Sequence, residues 1–269
     1  MATRIVLASQ KGGVGKTTVA LNLAVAWAER GKRILLVDLD PQGAVGLSLA
    51  RDEMALSGIA EALMRKEGLE DVLLQTKIPS LTLLPRGRLD PYDVTEYEKV
   101  MHVDGVLDEM MSEIGGRFDY ILLDAPSGLG MITRAAMRAA DFVLVPFQSE
   151  ALALRSMSQL LRVVERMREG ENPRLALIGI LPTMVELSKS SALDVMGTVW
   201  SGFGGVLDTM IPRADAFAEA SQLGIPVGFM AGKRPPEARR FDLLATELET
   251  RIGEASTGGE DEQPQRELL

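Results

Sequence analysis

Short apolar runs of β type alternate along this chain with stretches in which apolar residues recur every three to four positions. The runs predict strands over Arg4–Ser9, Arg33–Asp38, Leu81–Pro85, Tyr120–Asp124, Phe142–Phe147, Leu175–Leu181 and Val206–Ile211, with a short last one at Val227–Met230. The helical spacing predicts helices over Thr17–Arg30, Gly58–Lys66, Val100–Glu113, Thr133–Ala139, Leu152–Glu169, Ser191–Phe203, Ala216–Leu223 and Pro236–Ile252. Such alternation implies an α/β fold, a mostly parallel twisted sheet flanked by helices on both faces. Residues 1–253 read as one domain, and 254–269 as a disordered acidic tail. Segment 51–99 is the least regular body region, polar and interrupted by Pro79, Pro85 and Pro91. No internal repeat is visible.

Between the first strand and first helix lies Lys11-Gly12-Gly13-Val14-Gly15-Lys16-Thr17-Thr18. Strand, glycine loop, helix is the context of a phosphate-binding loop. Glycines let backbone N–H groups converge on a polyphosphate, and the helix start adds partial positive charge. Lys16 is placed to reach the β- and γ-phosphates of a nucleotide, and the Thr17 hydroxyl to ligate Mg²⁺. Lys11 is a second cation at the front edge of the loop.

Two further segments belong with this loop. The second strand ends in Asp38-Leu39-Asp40-Pro41-Gln42-Gly43, whose carboxylates emerge at the C-terminal edge of the sheet, where α/β folds bind ligands. Asp40 could orient a water for attack on a γ-phosphate, and Asp38 could hold Mg²⁺ through water or position Lys16. Tyr120-Ile121-Leu122-Leu123-Asp124 is an apolar strand ending in a carboxylate, which places Asp124 in the magnesium shell.

Lys-Gly-Gly-x-Gly-Lys-Thr resembles the deviant Walker A loop of the ParA/MinD family of ATPases, in particular the small single-domain ParA/Soj type. Asp-x-Asp-Pro-Gln-Gly is similar to the first switch of ParA proteins, and the likeness extends over roughly residues 3–252. Later pieces include Gln148-Ser149-Glu150, Gly179-Ile180-Leu181-Pro182-Thr183-Met184, Ile211-Pro212-Arg213, and Glu219-Ala220-Ser221 running on to Gly224, Pro226 and Val227. The resemblance implies that Lys11 reaches the partner's nucleotide in an ATP-bound sandwich dimer, and that Asp40 serves hydrolysis. It further implies that Thr183, Met184, Pro212 and Arg213 flank the adenine. The cofactors implied are ATP and Mg²⁺. Where the family usually has a second proline after Asp-x-Pro, this chain has Ser127.

Composition narrows the reading. There is no cysteine, which excludes disulfides, thiolate metal sites and the iron–sulfur branch of the superfamily. The fourteen methionines read as core filler, and the single His102 as a helix-surface residue. No signal peptide is visible, and no apolar stretch approaches the roughly 20 residues of a membrane span, so a cytoplasmic location is expected. Net charge is −9, of which the tail contributes −4 through five carboxylates against Arg266. That balance disfavours nucleic acid, although a local basic patch can still bind phosphates.

Three functions are compatible. In the first, ParA-like, the ATP dimer binds DNA without sequence preference and positions a plasmid, chromosome region or protein cargo beside the nucleoid. A ParB-like or adaptor protein then stimulates an otherwise slow ATPase and returns the dimer to monomers. Candidate DNA contacts are Lys189, Arg213, Lys233, Arg234, Arg239 and Arg240. No operator-binding domain is expected before the first strand. The second is a MinD-like membrane-cycling ATPase. Gly258, Gly259, Pro264 and the acidic residues around them oppose the basic amphipathic helix it would need, so no membrane contact is expected. The third is an ATP-dependent metabolic enzyme, whose second pocket would have to lie in segment 51–99.

Overall fold

A computed structural model describes residues 1–43, 45, 56–64, 66–148, 153–186, 190–232 and 234–257. In chain order the elements are β1 (Thr3–Leu7), α1 (Lys16–Glu29), β2 (Ile34–Asp38), α2 (Ile59–Leu63), β3 (Leu74–Gln75), β4 (Leu81–Leu84), α3 (Val94–Met101), α4 (Val106–Gly115), β5 (Tyr120–Asp124), α5 (Met131–Ala139), β6 (Phe142–Gln148), α6 (Ala153–Gly170), β7 (Ala176–Thr183), α7 (Ser190–Gly202), α8 (Asp215–Leu223) and α9 (Pro236–Thr257). They build a seven-stranded sheet in the order β3-β4-β2-β5-β1-β6-β7. All neighbouring pairs are parallel except the two-residue edge strand β3, which runs antiparallel to β4.

The two-residue period of the strands divides the core into two layers. Ile5, Leu7, Ile34, Leu36 and Leu122 face one side, under α1 and α9, where Trp27, Phe241, Leu244 and Leu248 are buried. Val6, Leu35, Val37, Ile121 and Leu123 face the other, under helices α2 to α6. Trp27 stacks on Tyr120 with ring centroids 4.3 Å apart. On the opposite face the buried Arg4 guanidinium leaves β1 to pair with Asp108 and Ser112 of α4 and the Ala139 carbonyl.

Several sequence expectations are corrected. Val206–Ile211 is not a strand. It meets the β7 segment through isolated bridges, Ile180 with Val206 and, just beyond, Val185 with Pro212, and through the Leu207 and Ile211 N–H groups, which donate to the Ile180 and Pro182 carbonyls, both at 2.9 Å. Between them the Asp208 and Thr209 N–H groups donate to the Glu247 carboxylate, at 2.8 and 2.9 Å, rather than to a ladder. Val227–Phe229 is a 3₁₀ turn, its Val227 N–H taken by Asn22 Oδ1 at 2.9 Å. The single helix expected over Val100–Glu113 is two, α3 and α4, separated by a turn through Gly105. Helix α9 continues to Thr257, past the expected start of the tail, and residues 258–269 lie outside the described residues. Among the described residues no helix is long and apolar enough to cross a membrane.

Candidate nucleotide site

The three central strands β1, β2 and β5 end together, and their ends carry the site. Register pairs Leu7 with Asp124 and Asp38 with Asp124, so the loop leaving β1 and both strand-end carboxylates meet at one edge. Gly15 caps α1 with φ +87°, a left-handed conformation that a side chain disfavours, and Val19 N–H returns to its carbonyl at 2.8 Å. Helix α1 therefore starts at the loop, with its N-terminal dipole end toward any bound phosphate.

Lys16 is buried, and its ammonium donates to Ser9 Oγ at 3.0 Å and Ser127 Oγ at 2.9 Å. Burial lowers its pKa, against the opposing pull of the Asp124 and Asp40 charges. Thr17 Oγ1 donates to Asp124 Oδ2 at 2.7 Å. Asp124 is 0% exposed and its other oxygen, Oδ1, has no hydrogen-bond partner among the described residues. Burial pushes the Asp124 carboxyl up to about 7, while the Thr17 hydroxyl and Lys16 hold it down and Asp40 adds to the rise. An orphaned buried carboxylate oxygen beside a threonine hydroxyl fits a Mg²⁺ ion whose other ligands are phosphate oxygens and waters. Among the described residues no three acidic or histidine side chains converge to hold a metal by themselves.

Asp38 is equally buried, and burial next to Asp124 raises its pKa. Its two oxygens accept the Asp40 N–H at 3.1 Å and the Val45 N–H at 3.0 Å, so this carboxylate ties down the loop that follows β2. Asp40 lies at the rim, half-buried. Its Oδ1 accepts the Gln42 N–H at 2.9 Å and its carbonyl the Gly43 N–H at 2.8 Å.

On the far side of the loop, Val14, Gly15, Thr18, Thr183, Met184, Ile211, Pro212, Arg213 and Phe217 line one largely apolar concavity. Thr183 Oγ1 donates to the Val14 carbonyl at 2.8 Å, which fastens the end of β7 to the phosphate loop. Met184 sits at φ +52°, an uncommon conformation for a side-chain-bearing residue. The sequence-selected Thr183, Met184, Pro212 and Arg213 are thus brought together beside Gly15 in one hollow.

Other candidates are placed differently. Lys11 lies between Gln10 and the glycines, its carbonyl accepting from Ser9 Oγ at 2.8 Å. Arg213 is paired with Glu186 at 2.9 Å, and Arg234 with Glu29 at 3.0 Å and Asp242 at 3.5 Å. Arg239 and Arg240 are exposed on α9. Lys189 and Lys233 lie outside the described residues. Sequence reasoning missed Ser9 and noted Ser127 only as a departure. The signal was a hydroxyl on each of the two segments flanking the loop, which a buried lysine requires.

This sheet order and this loop, with its lysine and its threonine–aspartate pair at the C-terminal edge, define a phosphate-loop nucleotide-binding protein. The profile of a family described as an AAA domain matches residues 2–177. The chromosome-partitioning ATPase Soj of Thermus thermophilus is 40% identical over 253 residues, covering 94% of this chain and 97% of Soj. The chromosome partitioning protein ParA of Caulobacter vibrioides is 36% identical over 228 residues, covering 83% and 85%. Among solved structures, the cobyrinic acid a,c-diamide synthase of Mycobacterium smegmatis with bound ATP analogue and magnesium superposes with a TM-score of 0.78 at 30% identity, covering 96% of this chain and 97% of that one. The chain belongs to the ParA/MinD family of P-loop ATPases.

Proposed function

We propose that this protein is a ParA-type partition or positioning ATPase, in which ATP drives a sandwich dimer and hydrolysis releases it. The observation that carries the nucleotide chemistry is the Thr17–Asp124 bond at 2.7 Å beside the unpartnered Asp124 Oδ1. In this reading Mg-ATP is the substrate, with Lys16 on the β- and γ-phosphates and Thr17 and Asp124 on the magnesium side, Asp38 holding the adjoining loop. Magnesium supplies charge neutralisation across the phosphate oxygens. Asp40 orients the attacking water, and Thr183, Met184, Pro212 and Arg213 enclose the base. Lys11 acts across the dimer on the partner's nucleotide. The ATP dimer binds DNA through lysine and arginine contacts to phosphates, with exposed Arg239 and Arg240 as the candidates of α9 and Arg213, Arg234, Lys189 and Lys233 as further ones. An adaptor protein accelerates hydrolysis and so sets the residence time on cytoplasmic DNA.

The names of the Soj and ParA relatives support the partition role, and the family's second lysine, present here as Lys11, supports the dimer. The test is the mass of Asp40→Ala and of Asp40→Ala/Lys11→Ala with Mg-ATP, followed by DNA pull-down at about 50 mM salt, where non-specific phosphate contacts are strongest. The expected outcome is an ATP-locked dimer that needs Lys11 and retains DNA. A dimer that survives the loss of Lys11 would count against the trans role, and absence of DNA binding would remove the partition reading.

The likeness to a cobyrinic acid a,c-diamide synthase favours a second reading, an ATP-dependent metabolic enzyme that amidates a carboxylic acid. ATP turnover that requires such a metabolite, and not DNA or a protein, would establish it. A membrane-cycling role is tested by co-sedimentation with anionic vesicles. Helix α9 closes with Glu247, Glu249 and Glu254 against Arg251, a poor match for anionic lipid.

A further inference from the structure

Segment 56–99, without an evident task in the sequence, surrounds the loop that carries Asp40. Two side chains define this arrangement. Tyr97 of α3 is fully buried, and its hydroxyl donates to the Leu39 carbonyl at 3.3 Å. Arg86, just after β4, donates through Nη1 to the Pro41 carbonyl at 2.7 Å and through Nε to the Gly87 carbonyl at 3.0 Å. The Leu39 N–H itself continues the sheet, donating to the Asp124 carbonyl at 3.0 Å. The carbonyls of the two residues on either side of Asp40, Leu39 and Pro41, are therefore both held by side chains of one segment.

That segment is in turn fixed. The Ile59 and Ala60 N–H groups at the start of α2 donate to the Pro85 and Arg86 carbonyls at 2.8 and 3.0 Å. Glu61 accepts the Gly58 N–H at 2.8 Å and the Arg88 N–H at 3.0 Å. Gly58 lies so close that an added Cβ would stand 2.1 Å from the Pro85 carbonyl oxygen. The Arg86 guanidinium lies over Gly43, where an added Cβ would come within 3.1 Å of it. A chain of contacts thus runs from α2 through residues 85–88 to the Pro41 carbonyl, and a second from α3 to the Leu39 carbonyl.

We infer that Tyr97 and Arg86 are positioning residues for hydrolysis: they clamp the two carbonyls flanking Asp40 and so fix where its carboxylate stands relative to a bound γ-phosphate. The side-chain hydrogen bonds of Tyr97 and Arg86 among the described residues go to the carbonyls of Leu39, Pro41 and Gly87, whereas those of Lys16 and Thr17 go to Ser9, Ser127 and Asp124, and the clamp is expected to act on turnover more than on nucleotide affinity. This inference rests on the reading of Asp40 as the residue that orients water. A displacement on the order of 1 Å in such a group costs up to about a hundredfold in rate, whereas binding is carried by the phosphate loop.

The experiment compares full-length wild type with Asp40→Ala, Tyr97→Phe, Arg86→Met and Arg86→Lys. Each is measured for Mg-ATP affinity, for the number of nucleotide sites by titration, and for turnover per site at saturating ATP. Affinities within about twofold of wild type are expected throughout, with turnover per site down about tenfold in Arg86→Met and about threefold in Tyr97→Phe, and restored to within about twofold by Arg86→Lys, which keeps a donor. Wild-type turnover per site in Arg86→Met would overturn the clamp, as would affinity falling in step with turnover. Should Tyr97→Phe fail to fold, Arg86→Met, at a half-exposed position, decides alone. Wild-type turnover in Asp40→Ala would instead sink the hydrolytic reading of Asp40 itself, while loss in Asp40→Ala with both clamp variants fully active would sink only the clamp.

Discussion

The phosphate loop with its two strand-end aspartates and the segment from Gly58 to Met101 are built on opposite principles. The first is fixed by what precedes and follows it in sequence: an apolar strand, glycines, then a helix whose first residues are Lys16 and Thr17. The second is made of short pieces, α2, β3, β4 and α3, joined by irregular chain, and its Arg86 and Tyr97 side chains reach the loop after β2. The difference teaches that a motif can be specified by its neighbours in sequence while the loop beside it is held by side chains from distant positions.

The largest expected effect lies in the local region. Lys16→Ala removes the cation facing the phosphates, and ATP turnover should fall at least about a thousandfold, measured as phosphate release per folded protein. If that rate stayed within tenfold of wild type, the loop would not be the chemical centre. Next comes the irregular region. Gly58→Ala forces a Cβ against the Pro85 carbonyl, at 2.1 Å before relaxation, and should destabilise the protein by about 3 kcal/mol in urea titration. A change below about 0.5 kcal/mol would mean that this segment yields easily and transmits nothing.

The third prediction concerns pH. Burial raises the Asp124 pKa to about 7, so its neutral form is favoured by folding. The stabilisation from that protonation is complete below the unfolded carboxylate pKa and disappears as pH rises through about 7. Nucleotide-free wild type should therefore lose about 2–3 kcal/mol between pH 5 and 8 relative to Asp124→Asn, read from urea midpoints. Parallel pH profiles for the two proteins would contradict the buried, shifted carboxyl. The smallest effect is expected at the seam between loop and base hollow. Thr183→Val leaves the Val14 carbonyl unpaired, which should cost about 1 kcal/mol of stability, with nucleotide affinity weakened a few fold in a calorimetric titration.

Most of the sheet was legible because strands buried on both faces read as continuous apolar runs, as in Ile34–Asp38 and Tyr120–Asp124. The phosphate loop was legible because glycine, lysine and threonine at fixed spacing carry their own geometry. What was not legible depended on side chains from elsewhere. Val206–Ile211 has strand composition, yet Glu247 of α9 captures its middle N–H groups and the ladder breaks. Val227 has a β-branched side chain, but Asn22 of α1 takes its N–H and a 3₁₀ turn results. Ser9 and Ser127 are unremarkable in sequence, and they matter because Lys16 sits between them. The links from Tyr97 and Arg86 to the Asp40 loop span more than forty residues, as no periodicity can reveal.

The tethering of Lys16 to two serine hydroxyls carries one more consequence. An ammonium already stripped of most of its water has met the cost of leaving solvent before any triphosphate arrives. Binding of a triphosphate at this ammonium would then exchange two neutral oxygens for anionic ones, with little reorganisation of the side chain.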